Sequence, residues 1–163
     1  MRWFRFALLI LVVTIIQKGL LARWSNKPDL LVIFLVFYAV HYGTSEAIIS
    51  SFTIGFAADL VGSPMPMGPH MISFGLFGTL LAYLHRVIAI KRMPYQALAI
   101  FVTSVLTGLM AHLLARLAGE PITGNILFVI FVTALYSSIV GPFLFLPAAW
   151  WMQIKTSRFG RRY

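Results

Sequence analysis

Apolar runs close to the thickness of a bilayer follow one another through this chain, each cut by a glycine turn, a proline or a basic pair. A helix rises about 1.5 Å per residue, so roughly 20 apolar residues cross a hydrocarbon core of ~30 Å. The runs predict an all-α polytopic membrane protein, a single integral membrane domain over residues 1–163. Composition agrees. Hydrophobic residues make up 60% of the chain and charged residues 10%, where soluble domains carry about a quarter charged residues. Mean hydropathy is +0.90.

Six spans are expected, at about 3–23, 29–42, 44–61, 70–90, 95–117 and 125–152. The first follows Arg2 and Arg5, as a secretory leader would. Leu20-Leu21-Ala22 is a poor small-residue cleavage site, however, so a retained span is the better reading. Pro28-Asp29 opens the second, because proline suits a first helical turn and an acid there complements the positive end of the helix dipole. That span is short: about 14 residues reach only ~21 Å. A polar break, His41 to Glu46, separates it from the third, with the turn placed at Gly43. The prolines and glycines of 62–69 cannot continue a helix. Pro94 opens the fifth span, and Gly141-Pro142 and Pro147 predict kinks in the sixth.

The net charge of +9 does not call for nucleic acid, since the basic residues sit between apolar runs or at the ends. They act as topology determinants and lipid headgroup contacts. With the N-terminus inside, nine of the 13 lysines and arginines fall on the inner side, which places both termini in the cytoplasm. A five-span arrangement with the N-terminus outside gives a comparable bias; span length and the polar break decide for six. The absence of cysteine excludes disulfides, thiolate metal sites and cysteine nucleophiles.

The candidate site lies within 43–68. Ala47, Ser51 and Gly55 recur every fourth position and lead to Asp59, so all four share one helical face. Such a face packs the bundle and admits a partner helix. An ionisable group inside a membrane is a functional candidate by default, and Asp59 has the strongest claim of the four acids. Capture by turn amides at the helix end competes with a transport role for it. Asp29 and Glu120 read as a helix cap and a loop charge, and Glu46 as a first-turn acid. Asp29 and Asp59 are expected near the same membrane face, where a polar cluster could form. Of the four histidines, His112 lies beside a second small stripe (Ser104, Gly108, Ala111, Ala115), where a helix-to-helix hydrogen bond is its expected role.

No catalytic or metal constellation emerges. The histidines lack ligand spacing, and Gly43-Thr44-Ser45 lacks the second glycine of an intramembrane serine protease, having Glu46 there. No phosphate loop, carboxylate pair or cofactor site is expected, and no enzyme activity.

Two segments carry a family resemblance. Pro28-Asp29-Leu30 opening a short helix that ends at Gly43 is one. The run Gly55-Phe56-Ala57-Ala58-Asp59-Leu60, followed by Gly62-Ser63-Pro64 and Gly68, is the other. Together they resemble the bacterial rod shape-determining protein MreD family, over roughly 28–84; Met65-Pro66-Met67 lengthens the turn relative to that pattern. The resemblance implies an inner-membrane, non-catalytic scaffold of the elongation machinery. Its partners would be a bitopic MreC-like protein, membrane lipids and, within the same complex, MreB and peptidoglycan synthases. It also implies a fold similar to the substrate-binding subunits of energy-coupling-factor vitamin transporters, which supplies the alternative function. Those subunits show an alanine-x-x-x-alanine face on the first helix; here Ala7 is followed four later by Leu11.

Overall fold

The computed structural model describes residues 2–19, 23, 28–61, 68–87, 92–119 and 124–152. These form α1 (Arg2–Gly19), α2 (Leu30–His41), α3 (Thr44–Val61), α4 (Pro69–Val87), α5 (Met93–Leu117) and α6 (Ile126–Trp151). The bundle is built around α2. Every residue from Leu31 to Val40 is buried, and α2 packs against each of the other helices. A helix that is apolar on all sides can be satisfied only in this way. Its 12 residues rise only about 18 Å. The remaining helices wrap it with one face and turn large apolar side chains outward, among them Leu11, Phe56, Leu80, Leu98 and Phe131. An apolar exterior of this extent suits lipid rather than water. α5 and α6, at 25 and 26 residues, are each long and apolar enough to cross a membrane.

The face bearing Ala47, Ser51 and Gly55 is covered by α4 of the same chain. A methyl group at Gly78 would collide with the Ser51 side chain, and one at Gly75 with the Phe52 ring. At Gly55 an added Cβ would lie 2.7 Å from the His70 carbonyl oxygen and 2.7 Å from the Met71 Cα. Small residues on both helices thus let the two backbones meet. Ala47 and Ser51 are wholly buried by intramolecular packing, so α4 of the same chain occupies the face on which a partner helix was expected.

Several boundaries also differ. α1 is described as far as Gly19 and α4 as far as Val87, so the expected ends at 23 and 90 lie at or beyond the edge of the described residues. Asp29 caps α2 instead of forming its first residue. α6 continues through Pro142 and Pro147, with Ile100 of α5 filling the space a side chain at Gly141 would need. Nothing in α5 is buried beyond Ala111, and nothing in α6 before Ala134. The last turns of α5 and the first two turns of α6 therefore stand clear of the core. His112 lies at that boundary, half-buried, and makes no hydrogen bond among the described residues. The helix-to-helix bond expected of it is absent because the core has already ended. Gly62, Pro64, the 65–67 insertion, Lys91, Glu120 and the basic tail lie outside the described residues.

Candidate functional site

The polar side chains gather where α1 and α3 end and α2 and α4 begin. Each of these termini leaves backbone groups without intrahelical partners, and inside a bundle the shortfall must be met by side chains. Asp59, 7% exposed, meets it for α4. Its Oδ2 accepts from the Gly68 and Met71 amides and its Oδ1 from the His70 amide, each at 3.0 Å. The His70 ring Nδ1 is also 3.0 Å from Oδ1 and donates to it in the tautomer protonated there. All four lone-pair positions of the carboxylate are taken. Gly68 adopts φ +123°, a conformation that favours glycine, and its carbonyl accepts the Ile72 amide at 3.0 Å. Asp59 is therefore a helix cap delivered from a neighbouring helix, with its negative charge at the positive end of the α4 dipole.

Asp29 does the same for its own helix. Its Oδ1 accepts the Leu31 amide at 3.1 Å and the Val32 amide at 3.4 Å, as an N-cap does. Two distant helices hold it in place. Gln17 of α1 donates to Oδ1 at 3.1 Å, and the Asp29 amide donates to the Ser137 hydroxyl at 2.8 Å. Ser137 lies near the midpoint of α6 and is fully buried. Pro28, also buried, precedes the cap and has no amide proton to leave unsatisfied.

Consecutive residues on α1 connect the two caps. Gln17 reaches Asp29, while Lys18 donates to the Leu60 carbonyl at 3.3 Å, beside Asp59. A cation there complements the negative end of α3. The structure thus brings Asp29 and Asp59 to one end of the bundle, as their spacing suggests, and adds Gln17, Lys18, His70 and Ser137. Of these, Gln17 could have been found from the sequence as the one side-chain amide in the first apolar run; His70 and Ser137 carry no local signal. At the opposite end Gly43 accepts the Ala47 amide at 2.8 Å, but neither a positive φ nor a close neighbour requires glycine there.

Ser137→Ala tests the arrangement with almost no change of volume. It strands the Asp29 amide, and an unpaired buried donor costs about 1–3 kcal/mol. Thermal unfolding in detergent should show a lower midpoint for this variant. An unchanged midpoint would mean that water already serves the amide.

Chemically, these groups hold helices together. No group of three or more histidine, aspartate or glutamate side chains capable of holding a metal occurs among the described residues. No curated protein and no solved structure matches the chain. The family model for the rod shape-determining protein MreD matches residues 1–155. That span takes in both caps, all six helices and the small-residue seam, and the chain belongs to the MreD family.

Proposed function

We propose that this chain is a non-catalytic membrane scaffold of the bacterial cell-elongation machinery. It binds an MreC-like bitopic protein and through it contributes to cell-shape control and peptidoglycan synthesis, in a complex that includes MreB and the synthases. The observation that supports a scaffold, beside family membership, is the use made of Asp59. Its carboxylate is occupied by three backbone amides and faces the His70 ring, all of its own chain, which is the use of a structural cap.

In this reading the six helices are six transmembrane spans in the bacterial inner membrane, arranged like the substrate-binding subunits of energy-coupling-factor transporters. Both termini are cytoplasmic, following the bias of the basic residues. α2, at about 18 Å, is shorter than the hydrocarbon core, so its span calls for local thinning of the bilayer. Because α4 covers the small face of α3, the partner helix takes an outward-facing surface of the bundle instead.

Co-expression of the full chain with the bitopic coiled-coil protein of the same genome tests the proposal. Affinity purification in mild detergent is expected to recover the two in near-equal amounts. Failure to co-purify, together with tight vitamin binding in isothermal titration, would overturn it in favour of a transport subunit.

A further inference from the structure

A second cavity-forming cluster sits at the other end of the bundle, where α1 and α3 begin and α2 and α6 finish. Trp3 and Phe6 of α1, Tyr38 and Tyr42 of the α2 end, and Glu46 and Ser50 of α3 line a small cleft of about 20 Å³, open on one side, with Met152 at its edge. The rings form a continuous wall. Trp3 meets Phe6 edge-on at 5.8 Å between centroids, Phe6 meets Tyr38 at 4.7 Å, and Tyr38 stacks on Tyr42 at 4.9 Å. The Tyr38 hydroxyl donates to the Met152 sulfur at 3.3 Å, which fixes that ring. The Ser50 hydroxyl donates to the Ala47 carbonyl at 2.9 Å, so it offers only lone pairs to the cavity. None of the described lining residues is basic.

An enclosure of aromatic faces, hydroxyl lone pairs and one carboxylate is electron-rich throughout, and its complement is a cation. Ring faces attract ammonium groups by about 0.5–2 kcal/mol, more as water is excluded. Glu46 already has an interaction within the chain; a carboxylate accepts several donors at once, so an ammonium can join it. The position selects the kind of cation. Trp3 is half-exposed, and Trp150 and Trp151 at the end of α6 are exposed at 80% and 44%; tryptophans of this kind mark the headgroup level of a bilayer. Arg5 belongs to the same turn of α1 as Trp3 and Phe6, a positive charge on the helix end that bears the cleft.

We propose that this cavity is a lipid site that takes the ammonium of a zwitterionic headgroup, phosphatidylethanolamine being the probe. The ammonium lies among Trp3, Tyr42 and Glu46, and the acyl chains run along the apolar exterior. The assignment depends on the membrane reading of the chain, but on neither its orientation nor its scaffold role.

Native mass spectrometry of the full chain from nanodiscs tests it. The nanodiscs contain phosphatidylethanolamine and phosphatidylglycerol in equal amounts with matched acyl chains. One phosphatidylethanolamine should be retained in preference to phosphatidylglycerol by about tenfold, the ratio that corresponds to 1.4 kcal/mol. Glu46→Gln and, separately, Trp3→Ala should each reduce that preference several-fold while circular dichroism stays that of the parent. Trp3 lies on the exposed rim, so its variant remains informative if Glu46→Gln fails to fold. Equal retention of the two lipids would overturn the proposal, as would a preference unchanged in both variants. Equally tight binding of soluble phosphoethanolamine would also overturn it, since the acyl chains would then contribute nothing.

Discussion

Gly55→Leu is expected to abolish the folded bundle. The first atom added would already stand 2.7 Å from backbone atoms of two consecutive α4 residues and 3.0 Å from the Phe74 Cβ. Backbone cannot turn aside as a flexible side chain can, so α3 and α4 must separate along the seam where Phe52 lies over Gly75 and Ser51 meets Gly78. Overpacking in a rigid core costs about 1–3 kcal/mol for added methylenes, and a clash against two helix backbones lies at or beyond the top of that range. Size-exclusion chromatography after detergent extraction should show aggregate in place of the parent's single peak. Gly55→Ala should retain a folded fraction with a clearly lowered melting midpoint. A parent-like elution and midpoint for the leucine variant would mean that the seam is not closed as described. By contrast, Gly43→Ala should be close to neutral, since nothing lies within 4 Å of an added Cβ there.

Asp59→Ala is expected to have the second-largest effect. It removes the acceptor for three α4 amides and for the His70 ring. Each unsatisfied buried donor costs about 1–3 kcal/mol, and partial access of water from the His70 side, where the ring is 41% exposed, reduces the total to the order of 3–5 kcal/mol. Asp59→Asn keeps one oxygen and presents two donors to a site made of donors, so it should fall near the alanine variant. His70→Ala removes only the half-exposed partner and should lower stability by about 1 kcal/mol. The order of unfolding midpoints in one detergent, parent, His70→Ala, then both Asp59 variants, is the check. A destabilised His70→Ala beside a parent-like Asp59→Ala would show that the ring, not the carboxylate, holds α4.

What the sequence made legible follows from distance along the chain. The four-residue spacing of Ala47, Ser51, Gly55 and Asp59 is a property of one helix, and α3 presents all four on a single buried face. The capping role of Asp29 is local too, since its acceptors serve amides two and three residues on. Partners brought in by tertiary folding left no such trace. Ser137 is 108 residues from Asp29, and nothing in its own neighbourhood reveals that it accepts an amide. Glu46 read as a first-turn acid because its helix position is visible, whereas the rings around it come from α1 and the end of α2. The small face of α3 was read as open to a partner because spacing shows that a helix can approach but not which one does.

The hydrogen bond between the Asp29 amide and Ser137 also bears on the order in which the chain is completed. The central helix is made early in synthesis, yet the hydroxyl that satisfies its leading amide belongs to the last helix. Until most of α6 has left the ribosome, α2 has an unpaired amide and lacks part of its cover. A chain truncated before Ser137 should therefore be recognised as unfinished by membrane quality control, however well its first five helices have inserted.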